Sequence, residues 1–188
     1  MKQRATDFQL DKEQAVLVVI DVQERLIPAM NKKVYEQVKS NIELLVAGAR
    51  QLGIPVVTTE QYPRGLGHTV AELAKICGET LIEKISFGCC GEPKFNAELQ
   101  RIGRKQVIVV GMEAHVCVYQ TVLGLLEAGY AVHLVRDAIC SRKKENFQAA
   151  VANTGAAGAV ISTTEMALFQ MLKEAGTPEF KAISKLLK

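Results

Sequence analysis

Short apolar runs rich in Val and Ile alternate with longer amphipathic stretches along the chain. The runs fall at residues 15–21, 55–60, 80–84, 106–111, 131–137 and 158–162. Each has the length of a strand, and their near-continuous apolarity predicts strands buried on both faces. Between them, residues 33–52, 69–77, 96–101, 116–128, 142–153 and 164–174 read as helices. In the first of these, Ile42, Leu44, Leu45, Ala47, Gly48 and Leu52 recur at near-helical spacing, and Gly53-Ile54-Pro55 stops the helix and opens the next strand. This alternation predicts an α/β protein, a three-layer α/β/α arrangement of the Rossmann-like kind with a parallel sheet. No Gly/Ser linker, repeat or low-complexity tract interrupts it, so residues 1–188 read as a single domain. The long irregular stretch is residues 61–68, with Pro63, Gly65 and Gly67, and such loops beside strand ends often shape binding sites.

Composition narrows the function classes. The 188 residues are 48% hydrophobic and 23% charged, with a formal net charge of +3. The Lys and Arg residues are scattered, with no basic stripe interleaved with aromatics, so no nucleic-acid partner is expected. The mild positive charge is compatible with small anionic substrates. No apolar run approaches the length of a bilayer span, so no membrane partner is expected either. The sequence MKQRATDFQL lacks an apolar signal core. Five cysteines, odd in number and without a CxxC pair, suit a reducing compartment, and the expected location is cytoplasmic.

Ligands of open α/β sheets bind beyond the carboxyl ends of the strands. Asp21, Glu60, Gln61, Lys84, Gly111 and Asp137 occupy such positions, and Cys117 follows the fourth strand at a helix start. Three of these residues make a chemically sensible set. A cysteine at a helix N-terminus is biased toward thiolate by the macrodipole, although a small buried core residue is an equal reading of Cys117. Asp21, after five apolar residues, is either a proton acceptor or a structural hydrogen-bond acceptor. Lys84 is either their counter-ion or an exposed lysine at a strand end.

The segments Val18-Val-Ile-Asp21-Val-Gln23, Glu83-Lys84-Ile-Ser-Phe87 and Gly111-Met-Glu-Ala-His-Val-Cys117-Val resemble, in order and spacing, the three signatures of the isochorismatase-like cysteine hydrolase superfamily. The resemblance covers essentially the whole chain. It implies an Asp21–Lys84–Cys117 triad and a six-stranded parallel sheet of order 3-2-1-4-5-6. It also implies a non-proline cis peptide at Met112-Glu113 and oxyanion donors in the N–H groups of Glu113 and Cys117. Gln23, Tyr62, Phe87 and His115 are substrate-pocket candidates by their places beside these motifs, with ordinary packing as the alternative. Members commonly assemble, so a homo-oligomer (dimer or tetramer) is expected, with residues 149–160 and 180–187 as possible contact surfaces.

Departures from the superfamily narrow the activity. Metal-binding nicotinamidases carry Asp-x-His after the second strand, whereas this chain reads Thr58-Thr-Glu-Gln-Tyr-Pro-Arg-Gly-Leu-Gly-His68. No metal and no cofactor are therefore expected. Isochorismatases proper cleave a vinyl ether without the cysteine, so Cys117 argues for acyl chemistry on a small-molecule substrate. The Thr-Glu-Gln-Tyr-Pro stretch resembles the isochorismatase-domain-containing branch. The expected activity is cysteine-dependent hydrolysis of a small amide or related acyl compound. The rivals are a catalytically silent binding protein and a thiol redox sensor using Cys117 with Cys89 or Cys90, although Cys89 and Cys90 read more simply as vicinal loop thiols. A dinucleotide-binding dehydrogenase lacks its GxGxxG after a strand.

Overall fold

The computed structural model describes residues 5–78 and 80–187. Among them, six strands form one parallel sheet: β1 (Ala15–Ile20), β2 (Val56–Gln61), β3 (Leu81–Lys84), β4 (Gln106–Met112), β5 (Ala131–Cys140) and β6 (Val160–Ser162). Their order is β3-β2-β1-β4-β5-β6, the order the resemblance implied. The helices are α1 (Lys32–Gln51), α2 (Pro63–Leu66), α3 (Ala71–Cys77), α4 (Pro93–Ile102), α5 (Tyr119–Glu127), α6 (Lys144–Ala156), α7 (Thr164–Leu172) and α8 (Pro178–Leu186).

Side chains of a strand alternate between faces, and β1 divides the core on that basis. Leu17 and Val19 pack with Ile42, Leu45 and Val46 of α1, Leu73 of α3, Leu168 of α7 and Ile183 of α8. Val16, Val18 and Ile20 pack on the other face with Phe95 and Leu99 of α4, Val122 and Leu125 of α5 and Ala150 of α6. Full burial of each large apolar side chain contributes roughly 1.5–3 kcal/mol, so a strand buried on both faces anchors the sheet. At its carboxyl end β1 pairs Ile20 with Gly111 of β4. Gly111 has φ +116°, and a Cβ there would overlap the backbone of Ile20, so only glycine lets the two strands approach at the floor of the site.

Several features differ from the sequence reading: α2 forms inside the stretch read as irregular, β3 at the sheet edge alternates exposed and buried positions instead of being buried on both faces, and two further differences change the site or the core. β5 continues past Asp137 to Cys140, because the pairing jumps from Val109↔Leu134 to Gly111↔Ile139 and leaves residues 135–138 as a bulge. Asp137 therefore does not end the strand. Its carboxylate accepts the N–H (2.8 Å) and hydroxyl (3.0 Å) of Thr164 at the start of α7, and its carbonyl accepts from Asn41 Nδ2 (2.6 Å). The second difference is α8. Thr177 caps it, Pro178 opens it, and fully buried Ile183 docks it on the core. No helix among the described residues is long and apolar enough to cross a membrane.

His133 of β5 is buried, and among the described residues its Nε2 has no hydrogen-bond partner. Burial pushes its pKa down from 6.5 to about 4. The neutral ring is the folded form, whereas the unfolded chain protonates near 6.5. The associated stability is complete above pH 6.5 and falls as the pH drops toward 4, by about 3 kcal/mol. Urea unfolding across this range should show that loss in the wild type and a shallower one in His133→Leu. Equal slopes in the two proteins would contradict it.

Candidate active site

Asp21 follows the last residue of β1 with φ +50°. Its carboxylate is fully buried and held by two donors. Thr59 Oγ1 of β2 donates to Oδ1 at 2.7 Å, and Lys84 Nζ at the end of β3 donates to Oδ2 at 2.7 Å. The lysine side chain is fully buried as well. Its ammonium also reaches Gln61 Oε1 (2.9 Å), the Phe87 carbonyl (2.9 Å) and the Ser86 carbonyl (3.3 Å). Its three hydrogens are thus fully taken up. Burial works against the Lys84 charge, but Asp21 beside it overcomes that cost and moves the pKa above the usual lysine value.

Cys117 enters from the other side. After β4 the Met112-Glu113 peptide bond is cis, and residues Ala114–Val118 form a π-helical turn that leads into α5. The wide turn is closed by Val118 N–H on the Glu113 carbonyl (3.3 Å). Thr121 Oγ1 donates to the Cys117 carbonyl (2.6 Å) and accepts the N–H of Cys89 (2.9 Å), which ties the cysteine turn to the loop after β3. Cys117 is 6% exposed. Burial first and the charge of Asp21 next push its thiol well above the ordinary range, with Lys84 opposing.

That reverses the expected thiolate bias, and the magnitudes explain why. A helix terminus is worth about 0.3–1 kcal/mol, less than one pKa unit. Withdrawing a charged group from water costs several times more.

A cavity of about 360 Å³ opens over Cys117. Leu26, Leu66, Phe87 and Val116 form its apolar wall, and Gln61, Glu113 and Arg142 supply the polar groups. The Gln61 amide is committed, donating to the Ile85 carbonyl (2.7 Å) while its oxygen receives Lys84. Glu113 and Arg142 form a forked pair, Nη2 to Oε1 at 2.7 Å and Nε to Oε2 at 3.1 Å, with the Arg142 N–H also on Oε2 (3.1 Å).

Residues 15–166 match the family model described as "Isochorismatase domain". The chain belongs to the isochorismatase family. It is 38% identical over 175 residues to Isochorismatase domain-containing protein 1 of Danio rerio, covering 93% of this chain and 61% of that protein. The chain thus spans about three fifths of that relative's length. Among solved structures, MAR1 ribonuclease from Caenorhabditis elegans superposes with a TM-score of 0.89 at 35% identity, covering 95% of this chain and 92% of the other. YcaC from Pseudomonas aeruginosa, described with hexane-2,5-diol and covalent acrylamide, superposes with a TM-score of 0.90 at 25% identity, covering 98% and 93%.

Within this isochorismatase-family fold the four pocket candidates are placed unequally. Phe87 lines the cavity. Gln23 is buried away from it, accepting Gln61 N–H (2.8 Å) and donating to the Gln61 (3.0 Å) and Gly67 (2.6 Å) carbonyls, which pins the loop after β2. Tyr62 is half-exposed with its ring over Gly65, outside the lining residues. His115 points Nδ1 at Ser141 Oγ (3.0 Å) and is not a lining residue. Glu60, another strand-end carboxylate, accepts the N–H (2.6 Å) and hydroxyl (2.8 Å) of Thr69 and lies 3.1 Å from His68 Nδ1.

Sequence reasoning missed Arg142, Leu26, Leu66 and Val116. Arg142 carried a findable signal. It stands two residues beyond the carboxyl end of β5 at Cys140, but the hydrophobic pattern ends that strand at Asp137. Cys89 and Cys90 are free thiols raised by burial to about 12 and about 11.

Removing one member of a buried ion pair leaves an uncompensated charge. Lys84→Met should destabilise the fold by about 3–5 kcal/mol in urea unfolding, and adding Asp21→Asn should recover part of it. A loss below about 1 kcal/mol in the single variant would contradict the buried pairing.

Proposed function

We propose that this isochorismatase-family protein is a cysteine hydrolase that cleaves a small amide or related acyl compound through a thioester on Cys117. One observation carries the reading. The fully buried Asp21–Lys84 pair, at 2.7 Å, lies near enough to Cys117, which lines the cavity, for its carboxylate to act on the thiol proton.

The steps follow from that arrangement. As the Cys117 sulfur attacks the carbonyl carbon, its proton passes to the Asp21 carboxylate and the carbonyl electron pair moves onto oxygen. The N–H groups of Glu113 and Cys117 are assigned to hold that oxygen. Collapse breaks the C–N bond, Asp21 returns the proton to the nitrogen, and the amine leaves a thioester. Water then attacks the thioester carbon and gives a proton to Asp21. The C–S bond breaks, and the proton returns to sulfur. Lys84 stays charged throughout and keeps Asp21 an acceptor between transfers. The covalent acrylamide of the Pseudomonas aeruginosa YcaC structure suits this reading, because acrylamide is an electrophile that thiolates capture.

Ribonuclease activity, the description of the Caenorhabditis elegans structure, fits the cavity less well. Phosphodiesters need cations to hold phosphate. Among the described residues lining the cavity, the one cation is Arg142, already paired with Glu113.

Two outcomes test the proposal. In a panel of small amides scored by ammonia release, Cys117→Ala should abolish turnover, and Asp21→Asn should lower it about 10²–10⁴-fold. Unchanged turnover in Cys117→Ala would eliminate covalent catalysis. The protonated resting thiol gives a second readout. Iodoacetamide labelling of Cys117 in the free protein should keep rising with pH through 9, and a plateau below pH 7 would contradict a thiol held protonated by Asp21.

A further inference from the structure

The charges of the site are closed on themselves. Lys84 spends its hydrogens on Asp21, Gln61 and two carbonyls. Arg142 is held by Glu113 through Nε, Nη2 and its own N–H, and although its side chain is half-exposed its charge is spent on that carboxylate. Each cation therefore sits on a carboxylate, and the two pairs cancel. Glu113 is nearly buried, so pulling Arg142 away to meet a substrate anion would strand that carboxylate in a poorly solvated place. The remaining wall is Leu26, Leu66, Phe87 and Val116. A charged substituent entering here would lose water without gaining a counter-ion, whereas an apolar one gains burial.

From this we infer that the site selects small, uncharged acyl compounds with an apolar acyl part, and discriminates against carboxylate- or ammonium-bearing analogues. The inference rests on the hydrolase reading for its chemistry but on the cavity alone for its selectivity. The volume of about 360 Å³ sets the size, near the lower end of small-molecule sites. Arg142 acts as a positioning residue for Glu113 and not as an anion anchor.

The test uses Cys117 as a reporter. The intact protein is treated at pH 9 with iodoacetamide, iodoacetate or (2-bromoethyl)trimethylammonium, which are neutral, anionic and permanently cationic. Labelling of the Cys117 peptide is followed by mass spectrometry, and each rate is divided by the same reagent's rate with a free cysteine peptide. The neutral reagent should exceed both charged ones by about tenfold or more after this correction. Equal corrected rates would overturn the inference. So would a preference for iodoacetate that disappears in Arg142→Gln, which would make Arg142 an anion anchor.

A second measurement separates pocket chemistry from catalysis. In Cys117→Ala, butyramide should raise the melting temperature, and butyrate and butylamine should not. That pattern holds even if amide hydrolysis fails in the wild type, whereas absence of a butyramide preference overturns the selectivity itself.

Discussion

The buried Lys84–Asp21 ion pair is the constraint around which the site is arranged. An ammonium withdrawn from water must find acceptors for its hydrogens, and these come from β1, from the end of β2 and from the two carbonyls that follow β3. The loop after β3 is thereby drawn over the sheet edge, which brings Phe87 to the cavity wall. Asp21 is fixed in turn by Thr59. Three adjacent strands are joined at their carboxyl ends by side chains that would be costly to leave unpaired. The sheet order makes this possible, because β3, β2 and β1 are neighbours and β4 delivers Cys117 from the opposite side.

The same environment sets the state of the thiol. Proximity to Lys84 alone would favour ionisation, but burial and Asp21 outweigh it. In the proposed mechanism a thiol kept neutral beside a carboxylate gives up its proton as the substrate carbonyl accepts the sulfur electron pair, so deprotonation and attack belong to one event. This arrangement suits a buried cysteine that shares its compartment with Cys89, itself raised to about 12.

Much of the fold was legible because β-branched runs and helical spacing alternate so regularly. Asp21, Lys84 and Cys117 could be picked out because each stands at a strand end or just beyond one. What escaped has physical causes. The bulge at residues 135–138 inserts residues that no hydrophobic pattern marks, so the pattern ends β5 at Asp137 and leaves Arg142 away from any predicted strand end. Gln23 and Tyr62 neighbour the motifs in sequence, yet backbone acceptors claim the first and Gly65 seats the second. The thiol was read from its helix position, when burial was the larger effect and burial is not visible in a local motif. The net charge of +3 suggested small anions, but the charged residues lining the cavity, Glu113 and Arg142, are paired with each other.

The most direct measurement is the mass of Cys117 during turnover. A small amide found to be hydrolysed would be mixed with excess enzyme, quenched in acid within milliseconds to seconds, digested and weighed. The expected result is a transient peptide carrying Cys117 plus the acyl group, rising before the free acid and decaying into it. Complete conversion with Cys117 unmodified at every time point, and with no acyl group transferred to added hydroxylamine, would contradict a thioester route.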